Sequence, residues 1–135
     1  MTLCTYDRQA GINRVLFYAG ATAFLGLFGA VYEVFSHGVY SNFMVYAFTI
    51  PLMAGLLPTL VCIKLGWAPP SCSATQLYAG AVMMLAAGSV MRGVVDIYGT
   101  TNGKLVMFPI LATVMLAVAL FVGYSDRRRK PNELA

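Results

Sequence analysis

Arg92 and Asp96 stand four residues apart inside Gly80–Tyr98, a stretch otherwise apolar enough to lie in a membrane. That spacing puts both on one face of a helix. An ionised residue at mid-membrane costs roughly 2.5 to 3.5 kcal/mol on insertion scales, so neither charge is expected without a partner or water. Two uses meet the requirement: an ion pair that locks helix register, or the polar lining of a ligand or ion path. Glu33 is a third charge at the same depth of another apolar run, with Tyr32 beside it and His37 one turn further on. Together Glu33, Arg92 and Asp96, bordered by His37, Tyr32 and Tyr98, form the candidate polar cluster. Two acids against one base leave it negative, the charge of a vestibule that attracts cations.

Other chemistries find less support. His37 is the only histidine, and one histidine does not supply two axial haem ligands within a monomer. No metal or cofactor is expected. Cys62 and Cys72 are ten apart with no CxxC, and with Cys4 they fall in regions assigned below to the cytoplasm, where thiols are kept reduced. Gly99–Gly103, GTTNG, lacks the strand and helix context of a phosphate cradle and reads as a turn. No nucleophile and base pair is present, so an enzyme is not expected.

The elements that must position these residues are membrane helices. With 59% hydrophobic and 10% charged residues, the chain is far from the soluble balance of about half apolar and a quarter charged. Four nearly charge-free runs, Val15–Phe35, Phe43–Ile63, Leu77–Tyr98 and Leu105–Tyr124, each match a hydrocarbon core of about 30 Å. Four spans are too few for a β-barrel, and helices satisfy their own backbone in lipid. The fold class expected is an all-α membrane protein with four transmembrane helices in two similar tandem hairpins. The first run is too long for a signal-peptide core and has no cleavage-like site after it.

Charge fixes the orientation. Arg8, Arg14, Lys64, Arg127, Arg128, Arg129 and Lys130 gather on one side, against Lys104 on the other. The positive-inside rule places both termini in the cytoplasm. The net charge of +4 is thereby a topology signal and not a nucleic-acid footprint; the terminal basic run meets anionic headgroups. One domain follows: hairpin one over 14–65, a cytoplasmic linker over 66–73 anchored by Trp67, hairpin two over 74–125 and a basic tail over 126–135.

Within the helices, Thr22, Gly26 and Ala30 on the first, and Gly88 on the third, offer small surfaces for close helix packing. Pro51, Pro58 and Pro109 each remove a backbone donor and predict kinks, with the freed carbonyls facing protein or water. Tyr18-Ala19-Gly20-Ala21 recurs as Tyr78-Ala79-Gly80-Ala81, and each copy leads through glycines to an acid, Glu33 or Asp96. A tandem duplication would give a pseudo-two-fold axis along the membrane normal, centred between the first and third helices.

The stretches Tyr32–Met44, YEVFSHGVYSNFM, and Asp96–Asn102, DIYGTTN, resemble small four-helix bacterial membrane proteins. The resemblance implies that fold and brings no activity. Small multidrug carriers place their essential acid in mid-helix, whereas Glu33 is near a helix end, and the fluoride channels' first-helix arginine motif is not recognisable here. The expectation is a bacterial inner-membrane protein that handles a solute or ion, or the membrane subunit of a transport complex, in contact with the lipid bilayer and with copies of itself or a partner subunit. The alternatives are an assembly or scaffold protein whose ion pair sets register, and a haem or quinone electron-transfer protein.

Overall fold

A computed structural model of the chain describes residues 8–35, 41–66, 71–99 and 103–133. His37, Trp67, Cys4 and Thr100–Asn102 lie outside the described residues, so the expectations placed on them are not addressed. Among the described residues the structure is helical throughout, without strands. Helix α1 spans Arg8–Phe35, a short α2 spans Asn42–Val45, a π-helical stretch over Pro51–Leu56 runs directly into α3, Leu57–Lys64, and α4 spans Cys72–Ile97. A 3-10 turn, Gly103–Val106, then leads into α5, Met107–Glu133.

Three of these helices are long and apolar enough to cross a membrane: Gly11–Phe35, Cys72–Ile97 and Gly103–Asp126. At 1.5 Å rise per residue, the shortest, at 24 residues, reaches about 36 Å, more than the roughly 30 Å of hydrocarbon. The second apolar run is not the single kinked helix its hydropathy predicts. Its uninterrupted part is the shorter apolar helix Pro51–Lys64, and the prolines explain why.

Pro51 has no N–H to give the Ala47 carbonyl, its acceptor in an α-helix. The chain compensates by tightening before it, with N–H to carbonyl bonds from Ala47 to Met44 at 3.2 Å, Thr49 to Tyr46 at 3.0 Å and Ile50 to Ala47 at 3.3 Å. After Pro51 it loosens, and the Leu57 N–H reaches five residues back to the Leu52 carbonyl. Pro58 likewise has no N–H, and in a straight α-helix the carbonyl left without that donor would be that of Ala54. There the donor comes from another helix: the Tyr78 hydroxyl bonds the Ala54 oxygen at 2.5 Å.

Pro109 stands in the first turn of α5, directly after the 3-10 turn. A proline is least costly near a helix start. Gly66 and Gly99 end their helices with φ of 62° and 68°. That left-handed geometry is the usual helix stop and favours a residue without a Cβ.

The elements pack in a row. Among the described residues, α1 lies along the π-helical stretch, that stretch and α2 lie along α4, and α4 lies along α5, with no close backbone approach of α1 to α4 or α5. The broken segment thus occupies the place between α1 and α4 where a two-fold centre was expected. The α4–α5 contact is antiparallel and close. A Cβ on Gly88 would lie 2.6 Å from Phe108 Cβ, one on Gly80 would lie 2.8 Å from Met115 Cε, and Ala112 and Ala119 are buried in the same seam. The equivalent of Gly80 in the first copy of the motif, Gly20, has nothing within 4 Å. The two hairpins therefore use their matching residues differently, one in a tight seam and one around a broken helix.

Small residues and a few wedges make up the interior: Tyr18, Ala79 and Val82 form a buried cluster against Ile50, Ala54, Leu56, Tyr78 and Met83. The outward faces of the end helices remain apolar, with Phe24, Leu27 and Val34 on α1 and Ile110, Leu120 and Phe121 on α5 exposed. A soluble monomer rarely exposes apolar patches of this extent; surfaces of this kind suit lipid contact.

Candidate functional site

The broken segment brings polar groups together at two stations. At the first station the turn Ser41–Met44 docks on one face of α4. Residues 89, 92, 93 and 96 share that face by helical spacing, and each has a contact. Ser89 Oγ donates to the Phe43 carbonyl at 2.7 Å. The Arg92 guanidinium sits over the Phe43 ring, 4.7 Å from its centroid. A Cβ on Gly93 would lie 2.9 Å from Met44 Cβ and 3.0 Å from its backbone nitrogen, so only glycine admits the turn at this distance. Ser41, 2% exposed, donates from Oγ to Asp96 Oδ2 at 2.9 Å, a charge-assisted bond. Met44 is held from the other side by α1, where a Cβ on Gly29 would be 3.4 Å from the Met44 carbonyl oxygen.

Arg92 and Asp96 share a face as predicted, but they spend it on the turn. Among the described residues no ion pair joins Arg92 to Asp96 or to Glu33. The Tyr32 hydroxyl is hydrogen-bonded to Tyr98, which ties the C-terminal ends of α1 and α4. Glu33 is half-buried on α1 beside this pair. The structure thus brings together Tyr32 with Tyr98, and Asp96 and Arg92 with Ser41 and Phe43.

The packing stripe of α1 is partly spent within the chain. Thr22 Oγ1 donates to the Tyr18 carbonyl at 2.7 Å, Gly26 faces Phe48 at 3.9 Å, and Ala30 is exposed.

The second station was not foreseen. The two tyrosines of the repeated motif meet adjacent residues of the π-helical stretch. The Tyr18 ring is wedged against Gly55, where a Cβ would fall 2.1 Å from its Cδ1, and Tyr78 bonds the neighbouring Ala54. Arg14 stands half-buried one turn before Tyr18 on α1, and Tyr78 packs against the Tyr18 cluster from α4. Contact of α1 with α3 sets this geometry: a Cβ on Gly11 would be 3.3 Å from Ile63 Cδ1. Sequence reasoning had spent Arg14 on topology and the tyrosines on a repeat. The usable signal was that Arg14 and Tyr18 are four apart, and that Pro58 orphans a carbonyl which some donor must reach.

The cysteines require a correction. Cys62 is a free thiol, but Cys72, the first residue of α4, is disulfide-bonded, where reduced thiols were expected. A disulfide on a cytoplasmic face is transient or redox-sensing as a rule. Among the described residues no group of three or more His, Cys, Asp or Glu is placed to hold a metal ion. Compared with known proteins, the chain matches no family model, no curated protein and no solved structure.

Proposed function

We propose that the chain is a small integral protein of a bacterial inner membrane that handles a small solute or ion, by itself or as the membrane subunit of a transport complex, with both termini cytoplasmic. In this reading the broken segment crosses as the fourth span, and the apolar faces of α1 and α5 meet lipid or further copies. The carrying observation is that segment: two prolines and a π-helical stretch, flanked by Ser41, Asp96, Arg92 and Ser89 outside and by Tyr18 and Tyr78 inside. Irregular backbone at membrane depth is tolerated where it is buried in protein or lines a watered cavity, and discontinuous helices are a recurrent device of transporter sites. π-Helical turns inside helices also occur often at functional positions.

A second reading, a non-transporting scaffold, is favoured by one observation: Arg92 and Asp96 are both engaged by the turn at Phe43 and Ser41. Cysteine replacements in membranes separate the two. Under the solute-handling reading, a charged methanethiosulfonate reagent modifies cysteines at Ile50, Ala54 and Leu56, which face the Tyr18 cluster, faster than at the outward Met53 and Leu57. If all five positions resist the reagent, the segment is dry and the scaffold reading stands.

A further inference from the structure

We propose that Tyr124 and Arg128 form a binding site for the phosphate of an anionic phospholipid, with the outward face of α5 beside them as the track for its acyl chain. The inference goes beyond the solute-handling reading. It requires α5 to cross a bilayer, but neither a transported solute nor an orientation.

The pair straddles the end of an apolar helix. The span Gly103–Asp126 ends between them, so at 1.5 Å rise per residue each lies about 3 Å from that end, the depth at which aromatic and basic side chains meet lipid headgroups. There the Arg128 guanidinium lies over the Tyr124 ring, 4.9 Å from its centroid. It also donates to the Tyr124 hydroxyl, from Nε at 2.9 Å and from Nη2 at 2.5 Å.

This arrangement leaves donors and no acceptor for them. A hydroxyl that accepts twice keeps its own proton to give, and a guanidinium that spends its Nε edge keeps the Nη1–Nη2 end. Among the described residues nothing receives these groups. Asp126 is two positions from both, which places it on the opposite face of the helix. A guanidinium presents planar paired donors that match phosphate oxygens. Because Tyr124 already holds the fork, less side-chain freedom is lost when an anion binds. Arg92 over Phe43 has the same stacking without a hydroxyl to complete a site.

The hydrocarbon half of a lipid has its surface too. Leu120, Phe121, Ala117 and Val114 continue the face of Tyr124 at spacings of three and four, and all are exposed. The seam with α4 uses the other side of the helix, at Ala112 and Ala119. Phosphate donors at the end of the span and an open apolar strip running from them match the two halves of one phospholipid.

The test is native mass spectrometry of the full chain in mild detergent, titrated with phosphatidylglycerol and separately with phosphatidylcholine. Phosphatidylglycerol is expected to bind more tightly. Arg128→Gln and Tyr124→Phe, both at exposed positions away from the α4 seam, each weaken it about tenfold or more, the weight of a hydrogen bond to a charged group. Arg128→Lys recovers only part of the loss, since an ammonium has no fork. Arg127→Gln and Arg129→Gln, in the same basic run, change the affinity several times less. The proposal is overturned if either of these costs as much as Arg128→Gln, the mark of diffuse attraction by the run, or if Tyr124→Phe binds like the unaltered chain. It is also overturned if phosphatidylcholine binds as tightly, or if inorganic phosphate displaces the lipid and so assigns the site to a free anion. A chain that holds the lipid but moves no solute would sink the solute-handling reading and leave this one standing.

Discussion

Replacing Tyr78 by Phe removes one oxygen and leaves the Ala54 carbonyl without the donor that stands in for the missing Pro58 N–H. The ring stays, so the packing contribution is nearly unchanged and the cost is that of an unsatisfied acceptor, about 1 to 3 kcal/mol. Water is scarce at this depth, which places the effect toward the upper part of that range. Pro58→Ala returns an N–H to the position whose α-helical acceptor is the Ala54 carbonyl. In that background the tyrosine hydroxyl is redundant, and Tyr78→Phe then costs under about 0.5 kcal/mol, within the usual additivity error. The expected coupling energy is therefore about 1.5 to 3 kcal/mol, or roughly 10- to 150-fold in the unfolding equilibrium. Titrating the four proteins from dodecyl maltoside into sodium dodecyl sulfate, with helicity followed by circular dichroism, measures it. Equal losses from Tyr78→Phe in both backgrounds would refute the reasoning that the hydroxyl replaces a proline-deleted donor.

Three further outcomes follow from the same geometry. Gly93→Ala drives a methyl to 2.9 Å from Met44 Cβ and 3.0 Å from its backbone nitrogen, so the turn must shift, at about 1 to 3 kcal/mol; Gly20→Ala, with nothing within 4 Å, gains up to about 1 kcal/mol from helix propensity, and the same titration should show the opposite signs. Ser41→Ala deletes the bond to Asp96 and loosens the outer turn, which limited proteolysis reports as faster cleavage near Asn42, whereas Arg92→Gln, removing only an exposed cation–π contact of about 0.5 to 1 kcal/mol, changes it little. Under the proposed topology the disulfide at Cys72 is a transient or redox-sensing one, so the oxidised fraction in acid-quenched cells labelled with polyethylene-glycol maleimide rises with added oxidant and falls after its removal; a Cys72 that stays fully oxidised throughout would reverse that topology.

Hydropathy made the three long helices legible, because lipid imposes length and apolarity on any span. It did not make the second segment's shape legible. A charge-free run looks the same to a sliding window whether or not Pro51 and Pro58 have taken its donors. The shared face of Arg92 and Asp96 followed from helical spacing alone. What that face touches did not, since the partner is a turn more than forty positions earlier, Ser41 to Asp96 being 55 residues apart. Packing order was hidden for a related reason: Gly80 and Gly20 occupy identical motifs, yet one meets Met115 and the other meets nothing. Small residues permit close approach without naming the helix that makes it. The station around Tyr18, Gly55 and Tyr78 went unseen because the two tyrosines had a sufficient explanation as copies of a repeated motif.

The bond from Tyr78 to Ala54 spans 24 residues of chain, and that separation bears on how the protein is made. Residue 54 is synthesised 24 residues ahead of its partner, so the first half of the chain is made with an acceptor whose donor its own sequence does not supply. Until α4 arrives, that half is an unfinished structure in an environment that penalises bare carbonyls. Assembly of the two halves is then a coupled event, and α4 acts as the in-built chaperone of the segment synthesised ahead of it.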